Sequence, residues 1–176
     1  MSKKIKKIIM DVDGTLTDGG IYMGENGELM KRFHVRDGYG IHSILRKNEI
    51  RPVVITGRNS TIVKNRCKEL GIVDFIQQSE DKLKDASSLI KQYSLQWDEV
   101  ACIGDDIPDL EIIKMADLSG CPKDAAESVK NVVDYVSEFK GGEGAVRDFI
   151  DWIVGRMDRD DIYNPPCVSE KAIKDN

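Results

Sequence analysis

Ile8-Ile9-Met10-Asp11-Val12-Asp13-Gly14-Thr15-Leu16-Thr17 is the stretch whose reading decides the fold. An apolar run beginning near Ile5 reads as a strand, and it stops abruptly at two carboxylates one residue apart. A strand period of two aims Asp11 and Asp13 the same way, and Gly14 lets the backbone turn tightly beside them. Two acids at the carboxyl end of a buried strand repel each other unless a cation or a shared proton offsets the repulsion. A plain polar strand-to-loop turn would account for this stretch taken alone. It does not stand alone: Asp105-Asp106 repeats the pattern behind the apolar run Val100-Ala101-Cys102-Ile103.

Working outward, Gly19-Gly20 opens a segment of different character. Ile21-Tyr22-Met23 reads as a strand, Gly24-Glu25-Asn26-Gly27 as a turn, and Glu28 to Val35 as an antiparallel return. Residues 18–35 are therefore an inserted hairpin whose apolar exposed face suits self-association. Asp37 is placed to cap a helix through Tyr39, Ile41, Ile44 and Leu45. Val53-Val54-Ile55 is a buried strand ending in Thr56-Gly57-Arg58, and Asn59 or Ser60 caps the next helix. A weak strand follows at Val73 to Ile76. Helices then run from Ser79-Asp81 to Tyr93, from Asp109 to Met115 and near Ala125 to Val129, with a short run at Leu118 and a short strand at Val132-Val133. Gly141-Gly142-Glu143-Gly144 precedes a helix through Phe149, Ile150, Trp152 and Ile153, and the charged segment 156–176 with Pro165-Pro166 reads as a flexible tail.

Strands alternating with helices predict an α/β fold: an open, mostly parallel, Rossmann-like sheet over residues 1–155, with no large cap domain. Such sheets bind ligands beyond the carboxyl ends of their strands, where Asp11, Asp13, Thr56, Lys82 and Asp105 all fall. The 176 residues carry a formal net charge of -5, which argues against broad nucleic-acid or membrane affinity. Cys67, Cys102, Cys121 and Cys167 lack metal-ligand spacing and read as free thiols of a reducing compartment. The lysines Lys3, Lys4, Lys6 and Lys7 precede an apolar run too short for a signal peptide or a membrane span. A cytoplasmic protein is expected.

Asp11, Asp13 and Asp105 are hard oxygen ligands suited to Mg²⁺, and no Cys/His cluster competes. Such a metal offsets repulsion between a carboxylate nucleophile and an anionic phosphoryl group. Lys82 opens a helix where its charge disfavours the dipole but can face a phosphate; a solvated surface lysine is the plain alternative. Thr56 can donate to a phosphoryl oxygen or be an ordinary turn hydroxyl. His34 and His42 lack a partner for nucleophilic catalysis, and Gly14 lacks the spacing of a nucleotide phosphate loop. Phosphate chemistry through an aspartyl-phosphate fits better than a P-loop ATPase.

Asp11-Val12-Asp13-Gly14-Thr15, Ile55-Thr56-Gly57-Arg58, Lys82 and Gly104-Asp105-Asp106-Ile107-Pro108-Asp109 together resemble the haloacid dehalogenase superfamily of phosphatases over residues 5–153. The resemblance implies Asp11 as nucleophile and Asp13 as general acid/base. It also implies magnesium held by the Asp11 carboxylate, the Asp13 carbonyl and Asp105, with Asp106 and Asp109 in support. Asp18-Gly19-Gly20-Ile21-Tyr22-Met23-Gly24, Phe33-His34-Val35-Arg36-Asp37-Gly38-Tyr39-Gly40 and the Gly141-to-Arg147 segment are similar to the capless 3-deoxy-D-manno-octulosonate (KDO) 8-phosphate phosphatases of lipopolysaccharide synthesis. That likeness implies a homotetramer whose hairpins form a central barrel, with a neighbouring chain and the C-terminal segment closing each site.

The implied substrate is an acidic sugar phosphate, with Asp13, Arg36, Gly57, Arg58, Arg66 and Lys82 around it. A phosphatase of nine-carbon nonulosonate (KDN or sialic acid) 9-phosphates needs the same catalysis but tends to carry Glu where this chain has Arg58. A noncatalytic regulatory or assembly module would use the hairpin interface while its acid cluster merely binds magnesium, and the intact Asp13 argues against it.

Overall fold

Strand β1 (Lys7–Met10) lies in the middle of a six-stranded sheet because every one of its residues is buried, so only a central position suits it. The computed structural model describes residues 4–163. The remaining strands are β2 (Tyr22–Gly24), β3 (Gly27–Met30), β4 (Arg51–Ile55), β5 (Asp74–Ile76), β6 (Val100–Ile103), β7 (Leu118–Cys121) and β8 (Tyr135–Val136). The sheet has the order β5-β4-β1-β6-β7-β8, and each adjacent pair is parallel. β2 and β3 pair antiparallel as a separate hairpin, whose base is tied by the bridge between Thr17 and Phe33.

The period of two sorts the strand side chains cleanly. Ile8, Met10, Val54, Ala101 and Ile103 enter one core, and Ile9, Val53, Ile55, Val100 and Cys102 enter the other. The first core is covered by α3 (Thr61–Leu70), by the helical run α1 (Val35–Tyr39) to α2 (Leu45–Lys47) and by α7 (Ala145–Tyr163). The second is covered by α4 (Lys82–Gln92), α5 (Leu110–Met115) and α6 (Glu127–Lys130). Each fully buried aliphatic side chain contributes about 1.5–3 kcal/mol, so two such layers hold the sheet rigid beneath its loops. Register sets the site: Met10 pairs with both Val54 and Ile103, so the chain segments after β1, β4 and β6 emerge at one edge.

Four expectations are corrected. Asp37 lies inside α1, whose N-cap is His34, with Nδ1 accepting the Arg36 N–H at 3.3 Å. Asp37 instead accepts the Arg147 N–H at 2.8 Å, in the first turn of α7, 110 positions away. The last strand is Tyr135–Val136 rather than Val132-Val133: the Asp134 carboxylate captures the Ser119 N–H at 2.8 Å, delaying pairing until Tyr135 meets Gly120. The return of the hairpin ends at Met30, and Val35 already belongs to α1. The tail expected from Arg156 begins inside α7, where the Arg156 guanidinium stacks on Trp152 at 4.7 Å; residues 164–176, Cys167 among them, lie outside the described residues. Cys67, Cys102 and Cys121 are free and buried. No helix among the described residues is long and apolar enough to cross a membrane.

Candidate active site

The chain leaves β1 in a single wide turn, Val12–Leu16, closed by the Thr17 N–H on the Val12 carbonyl at 2.9 Å. The strand period therefore stops at Met10, and Asp11 and Asp13 are oriented by this turn, not by alternation. Asp11 is 8 % exposed. Its Oδ1 takes a hydrogen bond from Lys82 Nζ at 2.6 Å, and the same ammonium reaches Asp109 Oδ1 at 2.7 Å. Asp81 caps α4 through the Lys84 N–H at 2.9 Å, so Lys82 enters at the first turn and its side chain folds back under the sheet edge.

Asp105 comes in from the end of β6. The Thr15 hydroxyl donates to its Oδ1 at 2.9 Å. A methyl group on Gly14 would sit 2.1 Å from Asp105 Oδ2, and Gly14 has φ +95°, so only glycine lets these two loops meet. Gly141 is as tightly placed on the other side of the turn: a Cβ there would lie 1.9 Å from the Gly14 carbonyl oxygen. Asp109 Oδ2 accepts the N–H groups of Asp105 at 3.2 Å and Asp106 at 3.4 Å. Asp106 is turned outward and bonds the Ile107 N–H at 2.8 Å.

Carboxylate oxygens of Asp11, Asp105 and Asp109 lie within 4.8 Å of one another. Burial, then the Asp109 charge, pushes the Asp11 carboxyl up to about 7, against the pull of Lys82. Burial likewise pushes Asp105 up to about 6, although the Thr15 hydrogen bond opposes it. Burial would lower Lys82, but the Asp11 and Asp109 carboxylates outweigh it and hold the ammonium above its ordinary range. Three carboxylates against one lysine leave an excess of negative charge on oxygen donors. That excess and the donor type fit a hard divalent cation such as Mg²⁺. Asp11 and Asp105 are the carboxylates that could hold it, since both Asp109 oxygens are committed to Lys82 and the backbone.

Asp11, Asp13, Thr56, Gly57, Arg58 and Lys82 line one open cavity of about 750 Å³, together with Ile107, Pro108 and Lys114. Thr56 is 3 % exposed and follows directly on β4, where its N–H bonds the Ile76 carbonyl at 3.0 Å. Arg58 reaches in from the rim, its Nε 3.8 Å from Asp13 Oδ2. Arg36 and Arg66 do not line this cavity. Arg36 borders a cleft with Glu143 and Arg147, and Arg66 pairs with Glu69 at 2.9 Å while its guanidinium covers Phe33. His42 is exposed, with Nδ1 3.4 Å from the Leu70 carbonyl. Sequence reasoning passed over Lys31, whose ammonium meets the Asp13 carboxylate. A lysine beside an arginine at the end of a hairpin carries no signal that separates it from a solvated one. Thr15 belongs to the Asp11-to-Thr15 motif, but spacing does not reveal its partner, Asp105.

A family model described as haloacid dehalogenase-like hydrolase matches residues 69–150. The 3-deoxy-D-manno-octulosonate 8-phosphate phosphatase KdsC of Salmonella typhi is 41 % identical over 160 residues, spanning 89 % of this chain and 85 % of the relative. The chain belongs to this family of haloacid dehalogenase-type phosphatases. Solved structures of the family agree with the fold. The 3-deoxy-D-manno-octulosonate 8-phosphate phosphatase of Yersinia pestis superposes with a TM-score of 0.84 at 40 % identity, covering 88 % of this chain and 83 % of that one. The Moraxella catarrhalis enzyme, solved with magnesium, phosphate and KDO, gives a TM-score of 0.84 at 38 % identity over 90 % of this chain and 91 % of its own. The β2–β3 hairpin stands apart from the six-stranded sheet, with no large cap domain among the described residues, and the acidic cluster suits a divalent metal.

Proposed function

We propose that the chain hydrolyses 3-deoxy-D-manno-octulosonate 8-phosphate to the free sugar acid and phosphate. The observation that carries this reading is Asp11 on the cavity floor, held by Lys82 and facing Asp105, with Thr56, Arg58 and Asp13 around it. The relatives named for this substrate supply the eight-carbon acid.

The Asp11 carboxylate attacks phosphorus, and an Asp11–phosphate bond forms as the bond to the sugar oxygen breaks. Asp13 gives its proton to that leaving oxygen. It then takes a proton from water, which attacks phosphorus and frees both phosphate and Asp11. Lys82 and the Thr56 hydroxyl donate to the phosphoryl oxygens as charge develops on them. Asp11 and Asp105, with the Asp13 carbonyl by the family resemblance, would hold a Mg²⁺, which would supply charge neutralisation between the nucleophile and the phosphoryl group. Arg58 meets an anionic or hydroxylated part of the sugar acid at the rim.

The working form is a homotetramer built through residues 18–35. Met23, Leu29 and Met30 are 58 %, 67 % and 52 % exposed in a two-stranded hairpin, which is marginal unless other copies cover it. Arg36 and Arg66, outside the cavity of their own chain, then serve substrate only across such an assembly. Free buried cysteines support a cytoplasmic location.

The test is magnesium-dependent phosphate release from the eight-carbon and the nine-carbon 2-keto-3-deoxy sugar acid phosphates. The eight-carbon substrate is expected to lead in kcat/KM by about tenfold or more. A lead for the nine-carbon substrate overturns the assignment of substrate while keeping the chemistry. Sedimentation of a fully active monomer would remove the tetramer.

A further inference from the structure

Lys31 follows directly on β3, and its side chain is 0 % exposed. Burying an ammonium is costly unless anions meet it. Two do. One is Oδ1 of Asp13, and the other is Glu28 Oε1 at 2.9 Å. Glu28 uses its second oxygen to accept the Ser60 hydroxyl. Ser60 is the cap of α3, accepting the Val63 N–H at 3.3 Å, and its own N–H donates to Gln77 at 2.5 Å. A continuous line of polar contacts therefore runs from Asp13 through the hairpin to the frame of the domain.

The torsion that turns an aspartate carboxylate about its last bond is broad, so the side chain does not choose its own plane. Asp13 needs an outside contact for that. Its Oδ1 is occupied by Lys31, while its Oδ2 is the oxygen nearer Arg58 at the cavity rim.

We infer that Lys31 is a positioning residue for Asp13: it pins Oδ1, so that Oδ2 is the oxygen that carries the proton, and Glu28 anchors Lys31 in turn. The inference rests on the reading of Asp13 as general acid and base. In the first half-reaction the Oδ2 proton passes to the sugar oxygen as the phosphorus–oxygen bond breaks. In the second, Oδ2 receives a proton from the attacking water. Lys31 keeps its protons throughout and touches no substrate atom. Because Glu28 and Lys31 bracket the end of β3, docking of the hairpin orients the acid, and a hairpin displaced from Ser60 would release it.

The experiment compares turnover of the eight-carbon sugar acid phosphate with that of para-nitrophenyl phosphate, whose leaving group needs no proton. Lys31→Met, the double variant Lys31→Met/Glu28→Gln and Lys31→Arg are measured, with thermal unfolding as the check on folding. The double variant leaves no orphaned Glu28 charge, so it carries the test if Lys31→Met alone does not fold. Displacing a general acid costs about 10²-fold, and kcat/KM reports the first half-reaction alone, so the ratio of sugar phosphate to aryl phosphate kcat/KM is expected to fall by at least about tenfold in the variants lacking the ammonium. KM for the sugar phosphate changes much less, and Lys31→Arg recovers most of the ratio. Equal losses of kcat/KM on the two substrates, or a kcat/KM ratio unchanged in a folded variant, overturn the inference. Asp13→Asn separates the two layers. If it shows no preference between substrates, the general-acid reading itself fails; if it does and the Lys31 variants do not, only the role of Lys31 falls.

Discussion

Lys82 Nζ stands 2.6 Å from Asp11 Oδ1, although 71 positions separate the two residues. The pair puts a buried ammonium against a buried carboxylate. Without Lys82, Asp11 and Asp109 face each other uncompensated.

Lys82→Met is therefore expected to damage both catalysis and stability. Turnover should fall by about 10²–10³-fold, the usual cost of one charge-stabilising donor. Metal-free protein should lose about 3 kcal/mol, because removing one partner strands the other. Added Mg²⁺ should restore part of that stability and little of the turnover. Thermal unfolding with and without Mg²⁺, beside a phosphate-release assay, checks both parts.

Arg58 has a half-exposed side chain at the rim, free to meet a ligand. Arg58→Ala should raise KM for the eight-carbon acid phosphate by about tenfold or more, the worth of a charge-assisted contact. Hydrolysis of a small aryl phosphate should change much less. An equal response would mean that Arg58 serves the phosphate or the orientation of Asp13.

Gly14→Ala tests the meeting of the two acidic loops. The added methyl would fall 2.1 Å from Asp105 Oδ2 on a backbone at φ +95°. The strained backbone alone costs about 1–2 kcal/mol, and Asp105 must swing away from Asp11. The fold should survive with a lowered Tm, while the rise in Tm on adding Mg²⁺ should shrink or vanish. Calorimetry across a magnesium titration reads both.

Asp37 supplies a pH dependence distant from the acidic cluster. It is 2 % exposed, its Oδ1 caps α7 through Arg147, and its Oδ2 has no hydrogen-bond partner among the described residues. Burial raises its carboxyl above the ordinary value, against the hydrogen bond from Arg147. The folded chain thus holds this proton to higher pH than the unfolded chain, which releases it near about 4. The contribution to stability is complete below that value and is lost as the pH climbs through the raised one. Asp37→Asn has nothing to ionise. The Tm of the variant minus that of the wild type should therefore grow as the pH rises from about 4, then level off. A difference independent of pH would show that Asp37 ionises alike in both states.

The local chemistry of the chain was sufficient for the strands and for two of the acids. β1, β4 and β6 are short apolar runs with abrupt polar ends, and a parallel sheet brings such ends together whatever the loops between them contain. Asp11 and Asp105 were legible because each stands directly at a strand end. Lys82 is legible as the residue that opens the helix after Ser79 to Asp81, which is also a local feature. What the sequence could not contain was a partner chosen across space. Asp37 reads as a cap for the helix that follows it, yet the packing of α1 on α7 hands its carboxylate to Arg147. Lys31 reads as a solvated lysine, and only the docking of the hairpin buries it between Asp13 and Glu28. The orientation of Asp13 followed the same rule: the strand period ends at Met10, and the turn closed by Thr17 then aims the side chain. Hydrophobic periodicity and caps are written within a few residues of chain, so sequence alone determined the sheet and its acidic edge. Charge pairing depends on distances that exist only after the layers have packed, so tertiary structure decided which cation each carboxylate meets.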